Sequence, residues 1–256
     1  TQQGNKLVGT GSGPFSYQGD SVALSADGNT AIVGGSGDSS DAGAAWVFVR
    51  SGGVWTQQGS KLVGTGAVGA AKQGYSVSLS ADGNTAIVGG FRDSGNLGAA
   101  WVFVRSGGIW TQQAKLVGTG AVGSAYQGWS VSLSADGNTA IVGALYDNVS
   151  VGAAWVFVRS GGSWTQQGAK LVGTGAVGSP HQGYSVSISG DGNTAIVGGA
   201  DDNAYVGAAW LFSRSGGVWT QQGAKLVGAN AVGMSSQGVS VSLSANGSTA
   251  IMGGYD

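Results

Sequence analysis

The chain has 256 residues, 41% of them hydrophobic, which is enough for a packed core and sets it apart from disordered sequences. Its charge is sparse and balanced, 11 Lys and Arg against 12 acidic residues that are all Asp, so it offers no basic stripe to nucleic acid. There is no cysteine, which excludes disulfides and thiolate chemistry, and no apolar run near the roughly 20 residues that span a bilayer.

Fifty-two glycines at fixed positions, no Glu, and an abundance of Val, Ser and Thr argue against long helices and for many short strands. The class expected is all-β. Repeats decide the rest. The string TQQ begins at Thr1, Thr56, Thr111, Thr165 and Thr220, with spacings of 55, 55, 54 and 55, and TAI begins at Thr30, Thr85, Thr139, Thr194 and Thr249. A third string, AAW, ends at Trp46, Trp101, Trp155 and Trp210 and does not recur in the fifth copy. The chain therefore reads as four complete copies and one incomplete copy of a unit of about 55 residues, forming a single domain over residues 1–256. It starts inside a repeat, without the charged segment and apolar core of a signal peptide, and reads as a mature product or as an engineered or cut segment.

In chain order, residues 1–9 repeat the last strand of the unit and are expected to supply that strand to the final copy. The copy over residues 73–118 shows the unit whole. Residues 75–80 alternate, Tyr75, Val77 and Leu79 on one face against Ser76, Ser78 and Ser80 on the other. Ala81-Asp82-Gly83-Asn84 suits a tight hairpin turn, and residues 85–90 form the second strand. Residues 99–104, AAWVFV, are apolar throughout, as a strand buried on both faces is. A glycine turn follows, and then residues 109–117, whose Trp110 is diluted by Thr111, Gln112, Gln113 and Lys115 as in an outer strand. A radial stack of such four-stranded sheets is a β-propeller, here of five blades, with the serine-rich strand at the crowded axis and Trp101 and Phe103 filling the space between sheets. Each of those aromatic side chains contributes roughly 1.5–3 kcal/mol by burial.

These residues resemble the FG-GAP repeat family, the blades of integrin-α-like propellers. The carriers are QGYSVSLS at residues 73–80, IVGG at 87–90 and GAAWVFVRSGG at 98–108. The resemblance implies a secreted or extracellular protein, closure of the last blade by the N-terminal strand, and often a calcium loop between the first two strands. Calcium needs six to eight oxygens. The corresponding turns carry single carboxylates, Asp27, Asp82, Asp136 and Asp191, with Asn246 in the fifth copy, so a plain hairpin without a metal or other cofactor is expected there.

Other motifs have plain readings. Gly64-Thr65-Gly66-Ala67-Val68-Gly69 matches G-x-G-x-x-G, but a dinucleotide site needs a helix directly after it, and a strand follows. His181 is the sole histidine, so no multi-histidine metal cluster can form and a Ser-His-Asp triad would have to arise once within a repeated frame. A glycosidase needs paired carboxylates, whereas these Asp residues recur singly in turns. No enzymatic activity is expected. Trp55, Trp110, Trp164 and Trp219 read as packing residues, with stacking on a sugar ring as the other reading.

The copies differ mainly in two sets of loops, residues 36–42, 91–97, 145–151 and 200–206 between the second and third strands, and 12–17, 70–72, 124–126, 179–181 and 234–236 leading into the first. In an up-and-down blade both sets emerge on one face, where binding residues sit on a rigid scaffold. The candidate ligand-binding residues are Tyr17, Asp38, Phe91, Arg92, Asp93, Tyr126, Trp129, Tyr146, Asp147, His181, Tyr184, Asp202 and Tyr205, the four Asp being either ligand contacts or turn-forming groups. Two functions compete: an adhesion or lectin-like module that binds glycan or protein through this face, and a structural or amplified repeat scaffold with no ligand. The fifth copy lacks a third strand, so closure needs residues 1–9 to pair with its second strand or a second chain to fill the gap, which makes a homo-oligomer the further partner expectation.

Overall fold

A computed structural model describes residues 2–230 and 233–255. Each complete copy is an antiparallel four-stranded sheet with its strands in chain order. The first holds β1 (Val22–Leu24), β2 (Thr30–Gly35), β3 (Ala44–Ser51) and β4 (Val54–Gln57); the second β5 (Ser76–Leu79), β6 (Thr85–Gly90), β7 (Ala99–Ser106) and β8 (Ile109–Leu116). The third holds β9 (Ser130–Leu133), β10 (Thr139–Ala144), β11 (Ala153–Ser160) and β12 (Ser163–Gln166); the fourth β13 (Ser185–Ile188), β14 (Thr194–Gly199), β15 (Ala208–Ser215) and β16 (Val218–Gln221). The fifth copy is the hairpin of β17 (Ser240–Leu243) and β18 (Ala250–Gly253). The fold is all-β, and the sheets follow one another as propeller blades.

The core lies between blades. Ile87, Ala100 and Val102 of the second blade pack against Val131, Leu133, Trp155 and Phe157 of the third, and the same pattern joins the first blade to the second and the third to the fourth. Trp46, Trp101, Trp155 and Trp210 are fully buried, as expected. The inner-strand serines do more than fit a narrow axis. The Ser76 hydroxyl donates to the Gly128 carbonyl at 2.8 Å, and the Ser78 hydroxyl accepts the Leu133 N–H at 3.1 Å, so each inner edge strand is satisfied by the neighbouring blade. The first turns add a ladder: the Ala26, Ala81 and Ala135 N–H groups donate to Ala81, Ala135 and Gly190 carbonyls at 2.9 Å, and Gly190 to Ala245 at 2.7 Å.

After its outer strand each blade sends the chain across the next. Trp101 Nε1 donates to the Thr65 carbonyl at 2.9 Å, and the buried Gln73 amide bonds both the N–H and the carbonyl of Gly64. The copy one residue shorter lacks the glycine that follows TQQ elsewhere. Its outer strand β8 consequently runs on to Leu116 with a bulge opposite Val102 and Phe103, whereas the others stop at Gln57, Gln166 and Gln221 and rejoin by single bridges at Leu62, Leu171 and Leu226.

The expected closure by an N-terminal strand is corrected. No strand forms over residues 2–9, and Thr1 lies outside the described residues. Leu7 instead packs on the Trp46 and Phe48 cluster of the first blade, and Trp46 Nε1 donates to the Thr10 carbonyl, because that indole needs the cover that residues 62–65 give Trp101. Four blades are complete and the fifth copy contributes two strands.

Candidate functional site

The two variable loop sets meet on one face. The Ser94 N–H donates to the Val68 carbonyl at 3.0 Å within the second blade, and the Lys72 N–H donates to the Asp41 carbonyl at 2.8 Å across to the first. Each loop between second and third strands is a short left-handed turn: Asn148, Val149 and Ser150 have φ of 50°, 55° and 70°, and residues 39–41, 94–96 and 203–205 follow suit. Residues with a side chain rarely adopt this conformation in succession, so the turn must be held from outside.

The hold comes from Asp38, Asp93, Asp147 and Asp202, all buried. Asp93 lies 2.7 Å from Lys115 Nζ, and one oxygen accepts the Val68 N–H at 2.7 Å. Asp38 pairs with Lys61, Asp147 with Lys170 and Asp202 with Lys225. Burial pushes the Asp38 carboxyl up, but the Lys61, Gly13 and Ser39 donors outweigh it and hold the group below the usual carboxylate range. These four carboxylates are turned inward on lysine and backbone partners, so the ligand-contact reading gives way to the turn-forming one.

The aromatic candidates converge. Tyr184 and Trp129 have ring centroids 5.9 Å apart, and Trp129 lies 4.7 Å from Tyr75 and 5.0 Å from Phe91. Phe91 leads to Tyr126 at 5.6 Å, Tyr126 to Tyr146 at 4.9 Å, and Tyr146 to His181 at 5.0 Å. The result is a continuous strip across three blades, from the residues that lead into the inner strands out to the loops. Phe91 is its buried pivot and Tyr146 its most exposed ring. Arg92, exposed, carries its guanidinium 5.6 Å above the Phe91 ring. Burial, with Tyr184 and Asp20 adding to it, pushes the Tyr75 phenol up to about 12, so it stays a neutral hydrogen-bonding group. Burial raises Tyr184 as well, with Tyr255, Asp201 and Tyr146 nearby.

Tyr126, Tyr146 and Val149 line an open groove of about 430 Å³ beside the strip. The equivalent groove of the first blade, about 460 Å³, is lined by Phe15 and Tyr17, so Tyr17 belongs to a separate station of the same face. Tyr205 stands exposed in the left-handed turn of the fourth blade. His181 Nδ1 lies 2.6 Å from the Asp201 carboxylate, while Nε2 is buried with no partner among the described residues.

Tyr75, which the repeat alignment sets at the border of this face, and Asp201 join the site although neither is among the candidate ligand-binding residues. Tyr75 occupies the position equivalent to Trp129 and Tyr184, which is the signal that finds it. Nothing in the sequence pairs Asp201 with His181, twenty residues apart. The lysines Lys61, Lys115, Lys170 and Lys225 were legible only as outer-strand polarity.

The turns do not fit calcium. In the second blade the Ser80 hydroxyl and Asn84 N–H donate to Asp82 Oδ1 at 2.5 and 2.9 Å, and the Asn84 amide donates to Oδ2 at 3.0 Å. Both oxygens are engaged, and among the described residues no group of three or more His, Cys, Asp or Glu could hold a metal. The G-x-G-x-x-G segment opens no helix. A Cβ on Gly64 would sit 2.1 Å from Trp101 Cδ1, so that glycine serves indole packing. The outer tryptophans are packed too: Trp110 lies 5.4 Å under the Arg105 guanidinium, and its Nε1 donates to Gln58.

Residues 110–157 match the family model described as FG-GAP repeat, a frame running from the outer strand of the second blade through the third strand of the next. No curated protein matches the chain in sequence. Among solved structures, the chain is similar to a Bacteroides uniformis protein described as a 6-phosphogluconolactonase, with a TM-score of 0.57 and 16% identity over 86% of this chain and 60% of that one. It is also similar to hydrazine synthase of Kuenenia stuttgartiensis, with a TM-score of 0.53 and 13% identity over 88% of this chain and 53% of that one. At those identities the likeness shows the fold alone, and the chain spans 60% and 53% of the lengths of the two.

Proposed function

We propose that this chain, built from FG-GAP repeats, is a non-enzymatic recognition module that binds an extracellular glycan or protein through its loop face, with glycan the ligand class the chemistry favours. One observation carries the reading: the strip from Tyr184 to Tyr146 sets rings side by side at 4.6–5.9 Å on loops held by a rigid sheet scaffold. Stacked on a sugar, such rings offer apolar faces with phenol hydroxyls at their rims. Arg92 and the exposed Asn148 stand on the same loops for hydrogen bonding. Catalysis is disfavoured because the His181–Asp201 pair holds no nucleophile: Nε2, where a serine hydroxyl would stand, has no partner among the described residues. No cofactor is needed for this reading.

The competing reading, a scaffold without ligand, is favoured by Phe91, which is buried within the strip and packs as core. Glycan-array binding compared between the native chain and Tyr126→Ala with Tyr146→Ala separates the two. Binding lost in a variant of unchanged thermal stability supports recognition. A folded native chain that binds neither glycan nor surface proteins supports the scaffold.

A further inference from the structure

Equivalent positions should be equally buried in a repeat protein, and two sets are not. Val77 and Leu79 of the second blade are 7% and 8% exposed, while their counterparts Val22 and Leu24 in the first are 67% and 61% exposed. Ile32, Ile87, Ile141 and Ile196 are each 0% exposed, while their counterpart Ile251 on β18 is 70% exposed. These are the two halves of one interface. Ile32 of the first blade packs in one cluster with Val77 and Leu79 of the second, and Ile141 of the third with Val186 and Ile188 of the fourth. The chain therefore presents at one end of its arc the surface that its other end is built to receive, and the exposure of both shows that they do not meet each other.

We propose that a second copy of this chain covers each of these faces, head to tail, with Ile251 of one molecule seated on Val22 and Leu24 of the next. The hydrogen bonds at the joint continue those inside the chain. Within it, each first turn donates an N–H to the next turn's carbonyl, up to Gly190 on Ala245. Among the described residues, Ala245 N–H and Ala26 C=O have no backbone partner in that ladder, and they complement each other across two molecules. Ser242 likewise stands where Ser78, Ser132 and Ser187 accept the N–H of Leu133, Ile188 and Leu243, and the Leu24 N–H is the group such a serine would meet. The contact is heterologous, so it closes into a ring or extends into a filament according to the arc's curvature.

Light scattering on the 256-residue chain over a concentration series tests this. The expected mass is at least twice the 25.0 kDa of one chain. Both positions are surface-exposed, so Leu24→Lys and Ile251→Lys leave the fold intact, as circular dichroism will show, and each variant alone becomes monomeric. Mixed, the two form a one-to-one dimer, because each retains the face the other lacks. A monomeric native chain, an oligomer that survives either substitution, or variants that stay monomeric on mixing overturns the proposal.

Discussion

Asp93, 1% exposed, lies 2.7 Å from the Lys115 ammonium, which is 22% exposed, and the same pairing recurs in each complete blade. The pair ties a left-handed loop turn to an outer strand, so it couples the variable face to the scaffold. Removing one partner of a buried pair costs about 3–5 kcal/mol. Because Lys115 keeps some solvent, Lys115→Met is expected to cost less, about 2–3 kcal/mol in denaturant unfolding. Lys115→Met with Asp93→Asn is expected to recover part of that loss.

Val149 has φ 55° in the left-handed turn of the third blade, where the second blade has Gly95 at φ 67°. A side chain there costs roughly 1–2 kcal/mol, of which glycine gives back part through the entropy of its unfolded state. Val149→Gly is expected to raise stability by about 1 kcal/mol, visible as a higher melting temperature.

Gly64 has the opposite sensitivity. Its missing Cβ leaves room for the Trp101 indole, which then donates to Thr65. Gly64→Ala is expected to destabilise by about 3 kcal/mol, the upper end of ordinary overpacking, with a change in indole emission as the Trp101 ring is displaced.

The hairpin turns set the acid response. Ser25 and Asn29 donate to Asp27 and lower its carboxyl to about 2, and Asp191 is lowered by Ser189 and Asn193. Asp82 and Asp136 are raised by burial but lowered more by the same kind of donors. A depressed folded value means that the unfolded chain takes up protons first, so this contribution is complete above the unfolded value of about 4 and is lost as pH falls toward about 2. Replacing the four with Asn is expected to flatten unfolding stability over that window. The fold tolerates the change, since Asn246 Oδ1 already accepts the Ser244 hydroxyl at 2.8 Å and the Ser248 N–H at 3.1 Å.

Much of the fold was legible because a strand's signal is local. The expected second strand of the second copy, residues 85–90, coincides with β6, and the AAWVFV run became β7, two residues longer. Packing across blades was not legible. The buried Gln73 meets Gly64 where the chain crosses from one blade to the next, and the Lys115–Asp93 pair joins an outer strand to a loop of the same blade that lies 22 residues earlier; neither contact has a local signal. Residues 2–9 carry outer-strand sequence but form no strand, because among the described residues the fifth copy has no third strand to template it. For the site, repeat alignment identified the variable face and most of its rings, while the inward turn of Asp38, Asp93, Asp147 and Asp202 needed coordinates.

The claim that the loop face is the recognition surface is tested most directly by chemical-shift mapping of the labelled chain titrated with the best glycan from an array. The account predicts perturbed amides around Phe91, Tyr126, Trp129, Tyr146 and His181, with the opposite turns at Asp82 and Gly107 unmoved. Perturbation centred on those opposite turns, or on the outer indoles Trp110 and Trp164, would contradict it.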